Sequence, residues 1–432
     1  MAEYQNNHHV PQLILRRYDE RLNVYNLATE ELLINKRIEK CFSKKNIYPE
    51  WVEKMLQKVE GPFANLLNNK LLNAKNYITL HRNDLYLIKK FLIIEQLRSL
   101  ASIECENNVF ENEGRGFDEV KLPNETYKDY IFRTMKVIID CNNENDILRH
   151  SERTYQAYKW FMLYKFCYLT FWDSEKCGED FLITDIGMTC EHETSKFLFQ
   201  HFGFNEELLK SGYVISKLNN GYRYQEMLAK LAHVQANYYM FSISETRMIG
   251  LINPFYRLYF DDNVGEKPDI WPTKLSMDAL TANSVNYKKS YDMFVEYSAD
   301  DEYTYKIKDL ELDDVLVINL MMLDRVDEIV GYVNSSKILR SLAVYSYGKQ
   351  SRKDYTGLVN KLIDLGYNIP KNNKYSEQYD RISRIDYVNK DYQYMKLFIE
   401  NLRRKGIKTE EEVKPIIFFL EKLINGEIII QK

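Results

Sequence analysis

The segment DLYLIKKFLIIEQLRSLASIEC, residues 84–105, decides the fold class because its apolar side chains leave almost no polar stripe. A surface helix carries its apolar residues on one side only, whereas here they cover most of the circumference. The pattern therefore predicts a helix buried at the centre of the molecule. The apolar positions are Leu85, Leu87, Ile88, Phe91, Leu92, Ile94, Leu97, Leu100 and Ala101.

Polar residues interrupt this helix at Glu95, Gln96 and Arg98. Glu95 and Arg98 are three residues apart, so their side chains can pair along the helix. Burying a guanidinium is costly unless carboxylates or ligand oxygens meet it. Two interpretations stay open. Arg98 belongs either to an internal salt bridge that fixes helix packing or to a functional site.

A second stretch is rich in polar groups near the N-terminus: His8-His9-Val10-Pro11-Gln12-Leu13-Ile14-Leu15-Arg16-Arg17-Tyr18. Pro11 suits the first turn of a helix, where no backbone N–H is needed. Gln12 and Arg16 are four residues apart and share one face of such a helix, and His8 lies just ahead of it. Because the apolar residues of the stretch can anchor it, we expect it to present an imidazole, an amide and a guanidinium.

Short apolar runs outside the central helix predict β-strands. They fall in two groups, one in the first forty residues and one after residue 168, which favours a modest, largely antiparallel sheet. The runs at 168–172 and 181–184 are predicted to form a hairpin in that sheet. The expected strands are residues 22–28, 32–38, 168–172, 181–184, 238–244 and 303–308.

Helical periodicity accounts for more residues than the strands do. Besides the central helix, helices are expected at 49–72 (kinked or broken at Gly61-Pro62), 127–141, 153–165, 312–332, 392–404 and 409–425. We therefore predict an α+β fold, mainly helical with a small, largely antiparallel β-sheet. The sequence changes character after residue 347, which predicts a core domain at 1–347 and a helical C-terminal appendage at 348–432. The appendage is a candidate surface for a protein partner or for self-association.

Composition narrows the class of protein. The 432 residues are 45% hydrophobic and 28% charged, with a formal net charge of −4, as in ordinary globular proteins. No global basic field indicates nucleic-acid binding, although a local patch is compatible with 59 Lys and Arg. The chain has no signal-peptide pattern and no apolar run long enough to span a membrane, and its six cysteines are scattered. We expect a cytoplasmic protein with free thiols and no membrane association.

Three further polar residues stand at positions where a ligand could meet them. Glu60 lies at the predicted helix break, where it is either an edge residue or a buried acid with a partner. Asp185 closes the strand at 181–184, as a ligand-facing carboxylate or as a turn acid. Asn319 lies on the apolar stripe of the helix at 312–332, where a structural clamp on a neighbouring backbone is favoured over a ligand contact.

The opening motif, His8-His9-Val10-Pro11-Gln12 followed by Leu15-Arg16, resembles the bacterial family known as domain of unknown function 4238. Members of that family begin with a His-x-x-Pro-Gln-x-x-Leu-Arg-x-Phe motif. The spacing to Pro11 identifies His8 as the family histidine, with His9 at a variable position. Tyr18 provides the aromatic residue near the end of the motif.

Later segments are similar to that family in the same order, over about residues 7–345. They are the helix with Glu60, the segment Glu95-Gln96-Leu97-Arg98, the strand Phe181-Leu-Ile-Thr-Asp185 and the helix with Asn319. Thr184 replaces a serine of the family pattern, and Gly187 stands where proline is expected. The resemblance implies a bacterial cytoplasmic protein with no established activity and a link to phage defence or abortive infection.

Two hypotheses of function follow from these residues. In the first, the protein is a nuclease- or phosphodiesterase-like enzyme acting on a phosphate-bearing substrate, such as a nucleic acid or nucleotide. Its catalytic residues would be His8, Glu60 and Asp185, with or without a divalent metal ion, and its substrate-binding residues Gln12, Arg16, Gln96, Arg98 and Asn319.

The alternative is a non-catalytic ligand-sensing or protein-interaction module. In that case the same polar residues form a binding clamp or a buried structural network that fastens the N-terminus to the fold. The two hypotheses differ at His8, whose loss would abolish turnover in an enzyme but act only through affinity in a binding module.

Overall fold

The computed structural model describes residues 6–104, 121–141, 167–191, 238–252, 298, 301–346 and 353–369. The strands in this part of the chain are β1 Asn6–His8, β2 Arg21–Asn26, β3 Glu31–Arg37, β4 Ser43–Lys45, β5 Tyr77–His81, β6 Tyr168–Asp173, β7 Ile183–Thr184, β8 Thr189–Glu191, β9 Tyr238–Ser242, β10 Arg247–Ile252, β11 Glu302–Asp309 and β12 Ile329–Tyr332. The helices are α1 Gln12–Leu15, α2 Glu50–Leu66, α3 Arg82–Arg98, α4 Leu100–Glu104, α5 Tyr127–Asp140, α6 Leu312–Arg325, α7 Ser335–Ser346 and α8 Thr356–Asp364.

A six-stranded sheet with the order β5-β11-β6-β10-β9-β8 forms the middle layer. Its strands pair antiparallel except for β11 and β6, which run parallel with Ile307 opposite Phe171. A four-stranded antiparallel sheet, β3-β2-β12-β7, and a two-stranded pair, β1-β4, complete the sheets of the described residues. The predicted α+β class with largely antiparallel sheets is confirmed.

Strands β6 and β10 of the six-stranded sheet are buried on both faces, so their side chains alternate between two apolar cores. Phe171 of β6 belongs to the core shared with α2, α3 and α5, whereas Trp172 belongs to the core shared with α6, α7 and α8. The helices therefore lie on both sides of the sheet, which explains why β6 and β10 are buried along their whole length.

The central helix predicted from residue 84 is α3, and it is buried as expected. Phe91 stacks on Phe63 of α2, with ring centroids 3.7 Å apart, and contacts Phe241 of β9 edge-on. The helix ends at Ser99, whose extended ψ of 148° separates α3 from the short α4. These contacts fix the end of α3, where Glu95 and Arg98 lie.

The predicted kink or break at Gly61-Pro62 does not interrupt the helix, since α2 runs from Glu50 to Leu66 with Pro62 inside it. A proline inside a helix removes one backbone hydrogen bond and also crowds the residue before it, but Gly61 has no Cβ to be crowded. Val59 and Phe63 are also buried on either side of Pro62, so packing against α3 favours a continuous helix.

The predicted hairpin of 168–172 and 181–184 is wrong. Strand β6 is flanked by β10 and β11, which leaves no free edge for the next strand along the chain. Strand β7 pairs instead with β12 in the four-stranded sheet, with Ile183 opposite Gly331. The chain between β6 and β7 turns through a short 3₁₀ segment that ends at Gly178.

The helix predicted at 312–332 is right only over its first part. The helix α6 ends at Arg325, and Ile329–Tyr332 forms β12 between β2 and β7. Branched side chains at Ile329 and Val330 fit this buried strand, where cross-strand pairing outweighs helix propensity. Strand β5 was not predicted, because its alternation of buried and exposed residues spans only Tyr77–His81.

The helix α8 lies beyond the predicted domain boundary at residue 347. Its Leu358 and Leu362 are fully buried in the same core as α6 and α7. The helices predicted at 153–165, 392–404 and 409–425 lie outside the described residues, so the appendage stays a prediction. No helix among the described residues is long and apolar enough to cross a membrane.

Candidate functional site

Strand β1 and helix α1 bring the N-terminal motif to one edge of the molecule. His8 pairs with Ser43 of β4, and the backbone N–H of His9 donates to the carbonyl of Phe42 at 3.0 Å. Pro11 is the residue before α1 rather than its first helical residue, and Ile14 and Leu15 anchor this short helix in the core. The chain end is thus held on both sides of His8.

His8, Gln12 and Arg16 form a row of hydrogen bonds at the surface. Nη2 of Arg16 donates to Oε1 of Gln12 at 3.0 Å, and Nε2 of Gln12 lies 2.8 Å from Nε2 of His8. Because a guanidinium only donates, the Gln12 atom that it meets is the oxygen, and Gln12 turns its N–H₂ to His8. His8 Nε2 is therefore an acceptor, which places the proton of the neutral ring on Nδ1.

The other ring nitrogen of His8 faces the interior. Nδ1 makes no hydrogen bond of standard geometry, although the carbonyl of Cys41 is near enough to raise the His8 pKa. Burial has the larger effect and lowers the pKa of His8, and the nearby charge of Arg98 lowers it further. The imidazole is consequently neutral at neutral pH, with an acceptor nitrogen held near the surface.

Arg98, at the end of α3, fixes the backbone of His8 from inside. One terminal nitrogen, Nη2, donates to the His8 carbonyl, and the other, Nη1, donates to Glu60 of α2 and to Oε1 of Glu95, the latter at 3.2 Å. The Arg98 side chain is 3% exposed and Glu95 is fully buried, while Glu60 is 27% exposed. This contact set is the internal salt bridge considered above, extended to the N-terminal strand.

The charges of this cluster follow from its burial. Burial raises the pKa of Glu95 to about 8, and Glu60 raises it further, while Arg98 acts in the opposite direction. Burial alone would lower the pKa of Arg98, but Glu95 and Glu60 raise it well above its usual value. Arg98 is therefore a buried cation in contact with two carboxyl groups, and burial opposes the ionisation of Glu95.

Tyr48 completes the cluster, and it was not predicted from the sequence. Its hydroxyl donates to the carbonyl of Arg98 at 2.6 Å, and the guanidinium of Arg98 lies 5.7 Å from the centre of its ring. The residue follows the strand β4 in an irregular segment, where neither spacing nor composition marks it. The pairing of Glu95 with Arg98, in contrast, was visible from their spacing on the helix.

His9 has a different environment from His8. It is buried with its ring edge against Phe42, and within the described residues neither of its nitrogens has a hydrogen-bond partner. Burial lowers the pKa of His9 to about 3, with a smaller contribution from Arg98. His9 therefore acts as a neutral packing residue, and His8 is the histidine that faces the surface row.

Asp185 does not join this hydrogen-bonded cluster. Its two oxygens accept three backbone N–H groups, from Asp327 at 3.0 Å, Glu328 at 2.7 Å and Ile329 at 2.8 Å. The residue is 1% exposed, and burial raises its pKa to about 6 against these hydrogen bonds. Asp185 has the geometry of a buried turn acid that joins β7 to the start of β12.

Asn319 and Gln96 are also separate from the cluster. Asn319 donates to the carbonyl of Asp180 at 2.9 Å and to Ser341 Oγ at 3.1 Å, and it accepts the N–H of Leu182 at 3.2 Å. It is the backbone clamp favoured from its position in the helix. The Gln96 side chain is half-buried, and its Oε1 has no hydrogen-bond partner within the described part of the chain.

The residues suggested for a metal ion do not converge. Among the described residues, no three His, Cys, Asp or Glu side chains are grouped so that they could hold one. His8 and Glu60 lie near Arg98, whereas both Asp185 oxygens are used by backbone N–H groups. The donor set of His8, Glu60 and Asp185 therefore does not fit a metal site.

Comparison with known proteins identifies the family of the chain. No curated protein and no solved structure matches the chain. The family model described as "Protein of unknown function (DUF4238)" matches residues 6–254, which include the His8 row, Glu60, Arg98 and Asp185 but not Asn319. Since this match spans more than half of the 432 residues, the chain belongs to the DUF4238 family.

Proposed function

We propose that the His8 edge is the reactive site of a nuclease- or phosphodiesterase-like enzyme that acts on a phosphate-bearing substrate. The observation that carries the proposal is that a buried Arg98, neutralised by Glu60, binds the backbone of one surface-facing histidine. Moving the two charges of this ion pair out of water costs roughly several kcal/mol per charge, which their mutual attraction and hydrogen bonds must offset. Such support is typical of a functional group that must keep one orientation.

The chemistry assigned to each group follows from its protonation. Neutral His8 offers a lone pair on Nε2, which can take a proton from an attacking water or hydroxyl once a substrate displaces the Gln12 amide. As the attacking oxygen bonds to phosphorus, the P–O bond to the leaving alcohol breaks, and the His8 imidazolium returns the proton to that alcohol. Arg16 is exposed, and its cation can bind a phosphate oxygen. Gln12 keeps the His8 tautomer until the substrate binds. The proposed step is a proton transfer by His8.

Arg98, Asp185 and Asn319 are not substrate-binding or catalytic residues in this proposal. The two terminal nitrogens of Arg98 already meet two carboxyl groups and a carbonyl, and the side chain is almost fully buried. Asp185 and Asn319 hold backbone groups of neighbouring elements. Arg98 is instead the positioning residue of the site, acting through the His8 backbone.

The test is hydrolysis of bis(4-nitrophenyl) phosphate and of labelled single-stranded RNA and DNA by the full chain. His8→Gln is expected to lower turnover by about 100-fold or more, because the base is lost. His81→Gln is the matched control, since His81 is a half-exposed histidine paired with Glu302 at the other end of α3. Equal turnover of the two variants, or no hydrolysis by the wild type, contradicts an enzyme.

The non-catalytic alternative is favoured by one observation, namely that the Gln12 N–H₂ already occupies His8 Nε2. A binding module would retain labelled oligonucleotide without cleaving it, and Arg16→Ala would weaken that binding more than His8→Gln. Fluorescence anisotropy with the same oligonucleotides measures this difference. Binding without cleavage assigns the site to ligand sensing.

A role in phage defence is the biological form of this proposal. Bacteria that express the wild-type chain are expected to reduce phage plating, whereas bacteria that express His8→Gln at the same level are not. Equal plating on both strains contradicts the role.

A further inference from the structure

A depression of about 380 Å³ opens where α2, α3 and α5 meet, and it shares no residue with the His8 row. Its wall combines apolar and charged residues. The apolar and aromatic residues are Val59, Tyr86, Leu87 and Ile139, and the charged residues are Lys58, Lys90 and Asp140.

Positive charge exceeds negative charge around this depression. Asp140 accepts from Lys58 at 3.2 Å and from Lys136 at 2.6 Å, and Lys90 contributes a third ammonium group. Three cations and one carboxylate leave a formal excess of two positive charges. The carbonyls at the end of α5 offset part of it, because a helix C-terminus carries a partial negative charge.

Lys90 is fixed in place, whereas Lys58 is not. Lys90 is buried, and its Nζ donates to the carbonyls of Ile139 at 3.0 Å and Cys141 at 2.7 Å while lying 4.8 Å from the centre of the Tyr86 ring. Burial lowers the pKa of Lys90 to about 8, with Cys141 and Asp140 opposing the shift. The Lys58 side chain is 63% exposed, so its ion pair is weak enough to exchange for another anion.

We propose that this depression is a second ligand site, which binds a phosphate monoester carried on an aromatic or short apolar body. A phosphate monoester is close to a dianion at neutral pH and so matches the excess of two positive charges. Lys58 turns from Asp140 to the phosphate, Lys90 supplies charge from below, and Tyr86 and Val59 contact the apolar body. The site does not depend on the function proposed for His8.

The probe is phenyl phosphate, titrated into the full chain by calorimetry. Lys58→Ala is expected to weaken binding about tenfold, because one charge-assisted hydrogen bond is lost. Lys54→Ala is the matched control, since Lys54 lies one turn earlier on α2, is 70% exposed and pairs with Glu50 outside the depression. In the wild type, phenyl phosphate should also slow acetylation of Lys58 by acetic anhydride but leave Lys54 unchanged.

Three results overturn the proposal. The first is that phenyl phosphate gives no heat of binding and does not protect Lys58 from acetylation. The second is that the Lys58→Ala and Lys54→Ala variants bind it with equal dissociation constants. The third is that benzoate binds as tightly as phenyl phosphate. The last result would show that the excess charge does not select a dianion. Both substitutions are on the exposed face of α2, so we expect both variants to fold.

Discussion

Arg98 shows at the scale of one residue how the chain joins packing to a surface group. Its guanidinium meets Glu60, Glu95 and the carbonyl of His8, so one buried cation connects α2, α3 and β1. The spacing of Glu95 and Arg98 made their pairing predictable. The contact with His8 was not, because no local pattern relates residues that are 90 positions apart.

Replacing Arg98 by methionine is expected to lower the free energy of unfolding by about 3–5 kcal/mol, because Glu60 and Glu95 lose a buried cation and the His8 carbonyl loses its donor. Arg16→Met is the matched control. Arg16 is exposed, and its loss should change stability by no more than about 0.5 kcal/mol. Urea unfolding followed by circular dichroism measures both. A small effect of Arg98→Met would mean that the salt bridge does not hold the N-terminal strand.

Glu95 predicts a pH dependence of stability with a definite sign. Its carboxyl loses a proton near pH 4.5 when unfolded but near pH 8 when folded, so the folded state binds more protons between these values. The free energy of unfolding therefore falls as pH rises through this window.

Glu95→Gln removes that contribution, since an amide does not titrate. The wild type should lose stability relative to the variant by up to about 1.4 kcal/mol per pH unit within the window. Urea unfolding of the two proteins across the window gives the difference, from which other titrating groups cancel. If the difference in free energy of unfolding does not change with pH, or has the opposite slope, the pKa of Glu95 is not raised in the folded protein.

At the scale of elements, the turn after β7 is packed directly on the end of α3. Gly187 has a φ of +66°, and a Cβ there would lie 2.7 Å from the carbonyl oxygen of Glu95. The end of α3 that carries Glu95 and Arg98 is thus in close backbone contact with the turn after β7. Asp185 fixes the same turn through the backbone N–H groups before β12.

Two glycine substitutions separate backbone strain from this contact. Gly178 has a similar φ of +71° but open space around it, so Gly178→Ala should cost about 1–2 kcal/mol. Gly187→Ala should cost about 1–3 kcal/mol more, because the new methyl group meets Glu95. Thermal unfolding of both variants measures the difference. Equal losses would show that the β7 turn does not press on α3.

Helices and strands could be predicted where their periodicity was long, as in α3, α5 and β11. The pairing of β7 could not, because it depends on β10 and β11 occupying both edges of β6. The end of α6 was missed for a related reason. Ile329 continues an apolar stripe that suits a helix, and only the pairing of β12 with β2 and β7 makes this segment a strand.

At the scale of the whole molecule, the six-stranded sheet separates two cores that were not distinguishable in the sequence. Alternate residues of one strand, such as Phe171 and Trp172, belong to different cores. The candidate site lies with the first core, together with α2 and α3. Of the residues predicted for it, His8, Gln12, Arg16, Glu60 and Arg98 meet, because β1 and α1 return to the ends of these helices.

The domain boundary predicted at residue 347 can be tested against the packing of α8. A chain that ends at residue 347 lacks Leu358 and Leu362, both fully buried, and is expected to unfold at a lower temperature than a chain that ends at residue 369. Differential scanning calorimetry compares the two. Equal melting temperatures would mean that α8 belongs to the appendage rather than to the body.

The central claim is that the buried cluster holds His8 neutral, with Nε2 as an acceptor facing the surface row. Selective ¹⁵N-histidine labelling tests it directly, with His8→Gln used to assign the resonance. We expect an Nδ1–H tautomer and a His8 pKa below the ordinary 6.5. A His8 ring that carries its proton on Nε2, or that titrates at or above 6.5, would contradict it.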